Sequence, residues 1–122
     1  MPEALVRLAQ RATSEAGYHS YLPDVCLINS YAPATKLALH QDNDEADFTA
    51  PIVSVSLGLP ATFLFGGMTR QEKPQKIPLR HGDVFVFGGQ SRMAFHGIVP
   101  LKEGEHPLLG NRRINLTFRK AL

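Results

Sequence analysis

From about residue 18 onward the chain is cut into short apolar or alternating runs, each bounded by Pro, Gly, Asn or Asp, and no run is long enough for a helix of ordinary length. This punctuation is the strongest constraint on the fold. The runs with strand character are Val25–Tyr31, Lys36–Leu39, Ile52–Leu57, Ala61–Phe65, Gln75–Leu79, Val84–Phe87, Met93–His96 and Arg113–Phe118. The segment before them has the opposite period. Leu5, Leu8, Ala9, Ala12 and Ala16 recur at three- and four-residue steps, with Pro2 at the start and Gly17 at the end, which predicts a helix over about 3–16. One helix followed by eight strands predicts a mainly β sandwich or barrel, and eight is the strand count of a double-sheet jelly roll.

At 122 residues with 43% hydrophobic and 20% charged side chains, the chain is expected to form a single domain over 1–122, with strands from about 25 to 119. Thirteen Lys+Arg against eleven Asp+Glu give a net charge of +2, which tolerates a polyanionic partner without requiring one. A single cysteine, Cys26, excludes an internal disulfide framework. With no signal-peptide pattern, no membrane-length apolar run and one cysteine, a cytoplasmic address is expected; a monomer is expected as well, though no residue pattern sets the oligomeric state.

Two constellations carry chemistry. His40-Gln41-Asp42 follows an extended run, and residues two apart on a strand share a face, so His40 and Asp42 can converge on one ion. His96, ending another run, would complete the two-histidine, one-carboxylate set that leaves one side of Fe(II) open. His-x-Asp also arises by chance, and His81-Gly82-Asp83 repeats it where the glycine reads as turn chemistry. His19 and His106 sit among loop-forming residues and read as solvated. The second constellation is Arg113-Ile114-Asn115-Leu116-Thr117-Phe118-Arg119. Its period of two puts Arg113, Asn115, Thr117 and Arg119 on one face. Either that face meets water, or its two guanidiniums clamp an anion bidentately. In Val25–Tyr31, Leu27, Asn29 and Tyr31 share a face, and Cys26 on the other reads as a small buried hydrophobe.

Taken in order, Leu27–Tyr31, Leu37–Glu45, Pro51–Gly58, His81–Asp83, Gly88-Gly89, His96–Ile98 and Arg113–Arg119 resemble the AlkB family of Fe(II)- and 2-oxoglutarate-dependent dioxygenases, from about Ala9 to Arg119. The resemblance implies a double-stranded β-helix (jelly roll), with Fe(II), 2-oxoglutarate and O2 as cofactor and cosubstrates. By it, His40, Asp42 and His96 hold iron, and Leu27, Asn29, Tyr31, Leu37, Arg113, Asn115 and Arg119 line the 2-oxoglutarate pocket. Arg113 would meet the distal carboxylate and Arg119 the one beside the metal; Asp44 and Glu45 match positions that approach the substrate base, and Arg70 one near the substrate mouth, its alternative being a solvated hairpin charge. Ser30 stands where that family has arginine, and Phe87 where it has tryptophan. Longer members carry, before the helix that begins this chain, a segment that covers the base, so a catalytic core without that cover is expected. The implied activity is oxidative demethylation of 1-methyladenine or 3-methylcytosine type bases in single-stranded DNA or RNA, or in nucleotides flipped from a duplex. Its rivals are a 2-oxoglutarate-dependent hydroxylase of a protein or small molecule, and a metal-free jelly-roll binding module.

Overall fold

A computed structural model describes residues 1–41, 50–69 and 71–120. Among these residues the order is α1 (Glu3–Glu15), β1 (Val25–Tyr31), β2 (Leu37–His40), β3 (Ile52–Gly58), β4 (Ala61–Phe65), β5 (Gln75–Leu79), β6 (Val84–Phe87), β7 (His96–Ile98) and β8 (Arg113–Arg119). The strands form two antiparallel four-stranded sheets, ordered β1-β8-β3-β6 and β2-β7-β4-β5. This is the expected mainly β, two-sheet architecture with one N-terminal helix.

Helix α1 ends because Gly17 adopts φ +94°, a left-handed conformation that costs other residues a Cβ clash. The Tyr18 N–H then donates to the Thr13 carbonyl and the Gly17 N–H to the Ser14 carbonyl, the paired bonds of a Schellman stop. Leu5, Leu8, Ala9 and Ala12 face the first sheet as their spacing predicts, joined by Thr13, whose hydroxyl donates back to the Ala9 carbonyl at 2.9 Å. Ala9, Tyr21, Val53, Val55 and Phe118 form the core between helix and sheet, with Cys26 half-buried against it. Burial pushes the Cys26 thiol pKa up, which disfavours the reactive thiolate.

The alternation in β3 and β8 divides the molecule. Val53, Val55 and Phe118 point out to α1, and Ser54, Asn115 and Thr117 point into the space between the sheets. An aromatic layer fills that space: Phe63 lies 4.9 Å from Phe85, Phe65 5.9 Å from Phe85, and Phe87 5.9 Å from Phe85, centroid to centroid.

One expected strand is different. Met93–His96 was expected to be extended, but Gly89–Met93 forms a 3-10 turn and β7 runs from His96 to Ile98. Apolar spacing could not reveal this. Phe95 pairs with the turn after β4 instead, its N–H donating to the Gly67 carbonyl and its carbonyl accepting from the Gly66 N–H.

Candidate active site between the sheets

All eight strands contribute to a cavity of about 200 Å³, from Asn29 and Tyr31 on β1 to Arg113, Asn115, Thr117 and Arg119 on β8. That is below the ~300–1,000 Å³ of sites for drug-sized ligands, so it suits one small molecule.

His40 and His96 are directly paired across β2 and β7, with ring centroids 4.4 Å apart. Simple alternation would put Leu37 and His40, three residues apart, on opposite faces. Instead β2 carries one extra residue between its pairings with Ile98 and His96, a β-bulge that turns both side chains into the cavity. Gly97 on the partner strand makes room: a Cβ there would lie 2.6 Å from the Leu37 carbonyl oxygen.

Hydrogen bonding fixes which nitrogen each ring offers. His40 Nδ1 lies 2.8 Å from the Ala38 carbonyl oxygen, and His96 Nδ1 3.0 Å from that of Ala94. A carbonyl only accepts, so each Nδ1 carries the proton and the neutral ring bears its lone pair on Nε2. This is the outer-sphere arrangement that orients metal-ligating histidines. His96 is 6% exposed and is held by Phe87 at 5.0 Å and Phe63 at 5.9 Å. Two imidazoles anchored through Nδ1, with ring centroids 4.4 Å apart, form a donor pair that fits a divalent first-row metal ion. Among the described residues no third His, Cys, Asp or Glu joins them; Asp42, the expected third ligand, lies outside the described residues, as do Asp44, Glu45 and Arg70.

A second histidine pair has the same 4.4 Å separation and the opposite chemistry. The rings of His81 and His106 are tilted by 36°, but His81 Nδ1 accepts from the Gly58 N–H at 2.9 Å, and His106 Nδ1 from the Leu108 N–H at 3.1 Å. Their neutral rings therefore carry the proton on Nε2. His81 secures the turn after β3, where the Gly82 N–H also donates to the Ser56 carbonyl. His106 is half-buried against it and bridged to Gly110, so the solvated position expected for it is corrected. His81→Ala should leave Fe(II) affinity unchanged and lower stability by about 1 kcal/mol, the net worth of one hydrogen bond. Anaerobic Fe(II) titration and urea unfolding check the two halves.

The cationic wall is polar chemistry held under strain of desolvation. Arg113 is 2% exposed, donates from Nη2 to Ser56 Oγ at 3.0 Å and lies 6.0 Å from the Tyr31 ring centroid, while its buried Nε has no hydrogen-bond partner. Burial pulls its pKa below the usual arginine value, with the Tyr31 hydroxyl opposing that shift. Among the described residues no carboxylate pairs with it. An orphaned donor on a buried guanidinium fits an incoming carboxylate. Asn115 is locked in place: its Nδ2 donates to Ser54 Oγ at 2.8 Å and to the Val55 carbonyl at 3.2 Å, and its Oδ1 accepts from Thr117 Oγ1 at 2.6 Å. Arg119 lines the same cavity from the far end of β8.

Of the expected cosubstrate-lining residues, Asn29, Tyr31, Leu37, Arg113, Asn115 and Arg119 surround the cavity, with Asn29 at its exposed rim. Leu27 does not. It is 44% exposed on β1, an edge strand, so alternation put it on the right face but beyond the cavity's end. Ser54 and Ser56 were missed, although the Val-Ser-Val-Ser alternation of β3 was the available signal.

A sequence model of the 2OG-Fe(II) oxygenase superfamily matches residues 1–119. The chain is 59% identical over 121 residues to the alpha-ketoglutarate-dependent dioxygenase AlkB of Escherichia coli, covering 99% of this chain and 56% of that protein. It is 37% identical over 86 residues to the Arabidopsis thaliana DNA N(6)-methyladenine demethylase ALKBH1A, covering 69% of this chain and 25% of the other. The solved structure of OsALKBH1 superposes with a TM-score of 0.81 at 36% identity, over 98% of this chain and 65% of that one. The chain thus spans about half the length of its E. coli relative.

Proposed function

The chain belongs to the 2OG-Fe(II) oxygenase superfamily, and on that premise we propose that it carries the catalytic core of an oxidative demethylase acting on N-methylated bases in DNA or RNA. The observation that carries the reading is the pairing of two Nδ1-anchored histidines with a buried, carboxylate-seeking arginine on one small cavity. The family implies Fe(II), 2-oxoglutarate and O2; Fe(II), when bound, would activate O2, the oxidant that takes two electrons from 2-oxoglutarate and two from a methyl C–H bond. 2-Oxoglutarate and O2 are consumed as succinate and CO2 form. The N-methyl group becomes N-hydroxymethyl, which gives up its hydroxyl proton to water and leaves as formaldehyde while the ring nitrogen keeps the electron pair of the broken bond.

In this reading His40 and His96 ligate through Nε2, with Asp42 as the carboxylate partner. Arg113 binds the distal carboxylate of 2-oxoglutarate and Arg119 the one beside the metal. Tyr31, Leu37 and the locked Asn115 amide orient the carbon chain between them, with Asn29 at the mouth. The Phe63, Phe85 and Phe87 layer keeps water from the inner side of His96. Asp44, Glu45 and Arg70 would serve the substrate side. At about 200 Å³ the cavity takes the cosubstrate and leaves the base outside it, so the base must be unstacked and presented from the open side. The name of the Arabidopsis relative, a DNA N(6)-methyladenine demethylase, supports this substrate class, and that of the E. coli relative supports the cosubstrate. We place the core in one domain over 1–122, working as a cytoplasmic monomer. No helix among the described residues is long and apolar enough to cross a membrane.

The test is anaerobic loading with Fe(II) and 2-oxoglutarate, then admission of air with a single-stranded oligonucleotide containing 1-methyladenine. Formaldehyde and succinate should appear together. Succinate that never couples to formaldehyde from any methylated oligonucleotide would move the substrate to a protein or small molecule. Failure to take up either Fe(II) or cosubstrate would leave a binding module.

A further inference from the structure

Gln41 and Ala50, on either side of residues 42–49, are both tied to the 3-10 turn Gly89–Met93. The Gln41 side-chain amide donates from Nε2 to the Met93 carbonyl at 2.7 Å. Arg92, the neighbouring residue of the turn, donates from Nε to the Ala50 carbonyl at 3.1 Å. The turn leads directly through Ala94 and Phe95 into His96, and Gln41 directly follows His40.

Strand pairing alone defines the histidine spacing loosely. β7 has three residues and β2 four, and their ladder is interrupted by the bulge next to His40. A metal site needs its ligands held within roughly 0.5 Å, which two ladder pairs astride a bulge do not guarantee. The Gln41–Met93 bond joins the chain just past one histidine to the chain just before the other. Arg92 is the more telling residue. It is 2% exposed, with Nη1 4.0 Å from Met93 Sδ, so its guanidinium is buried in the turn that leads to His96. Its Nε–H is spent on the backbone at the far side of the segment that begins with Asp42.

We propose that Gln41 and Arg92 form a clamp that holds the two histidines in register: Gln41 sets His40 against His96, and Arg92 ties the same turn to the backbone at Ala50. Both are positioning residues, not ligands, and the inference rests on the Fe(II) reading of His40 and His96.

The experiment titrates Co(II) alone into the metal-free chain and reads both affinity and visible absorption band, beside the melting temperature of each metal-free variant. Gln41→Met should fold with a melting temperature close to the parent's, bind Co(II) at least ~10-fold more weakly and shift the band, as loss of an outer-sphere partner does. Arg92→Met should weaken binding in the same direction, and Arg92→Lys should recover part of it. A purely structural role lowers the melting temperature and leaves Co(II) affinity and band of the folded protein as in the parent; that result for Gln41→Met overturns the clamp. Should Arg92→Met fail to fold, Gln41→Met decides alone. Parent-like Co(II) binding by His40→Ala would instead refute the metal reading, and the clamp with it.

Discussion

His40→Ala should weaken Fe(II) binding by more than ~100-fold and abolish succinate formation, since losing even a ligand's outer-sphere partner costs ~10–100-fold in affinity. His96→Ala should do the same to the metal and also lower stability. The two differ because His40 is half-buried at the cavity's rim, whereas His96 is 6% exposed between Phe63 and Phe87, where truncation to alanine leaves a void. His96→Gln keeps most of the volume and separates the two effects: melting near the parent value, metal still lost. Anaerobic Fe(II) titration with melting curves on the metal-free proteins makes the comparison. A His40→Ala protein that still holds Fe(II) with parental affinity would show that the pair is structural. His81→Ala is the matched control, because its ring has the same 4.4 Å neighbour geometry and the wrong nitrogen protonated.

That control marks where sequence reasoning stops. His40-Gln41-Asp42 and His81-Gly82-Asp83 are the same motif, and each first histidine ends up 4.4 Å from another. The glycine in the second was a legible turn signal. The tautomers that separate the pairs depend on which backbone group faces each Nδ1, and that is set by folding rather than by residue type. The faces of β8 were legible because its alternation is strict over seven residues: Phe118 is fully buried toward α1 while Arg113 and Asn115 enter the cavity. The faces of β2 were not. A period of two separates Leu37 from His40, and the bulge that reunites them is permitted by Gly97, a residue about sixty positions downstream on another strand. The run Met93–His96 failed for a related reason. Its hydrophobicity is that of a strand, but Met93 and Arg92 close a turn whose partners, Gln41 and Ala50, lie 52 and 42 residues away.

Arg113 is the position where binding and stability should move in opposite directions. Its folded environment lowers the guanidinium pKa by desolvation, so at every pH below that value the charged form is less stable in the fold than in the unfolded chain. The penalty is offset within the fold by the bond to Ser56 Oγ and the Tyr31 ring, with Nε left unpaired. A carboxylate of 2-oxoglutarate would supply the missing partner. Removing one member of such a desolvated charge pair costs ~2–5 kcal/mol of binding, so Arg113→Met should bind 2-oxoglutarate at least ~30-fold more weakly. The same change replaces a buried, half-satisfied cation by an aliphatic chain of similar length, which is neutral to stabilising for the fold. Ser56 is 2% exposed and would lose its donor, so the clean comparison is the double variant Arg113→Met/Ser56→Ala, which removes both ends of that bond. Without cosubstrate it should melt at or a few degrees above the parent; with saturating 2-oxoglutarate and Mn(II) the order should reverse, because only the parent gains from the ligand. Calorimetric titration of 2-oxoglutarate and paired melting curves measure both. If the double variant melts well below the parent and binds the cosubstrate with parental affinity, the guanidinium serves the fold, and the polar face of β8 is not an anion site.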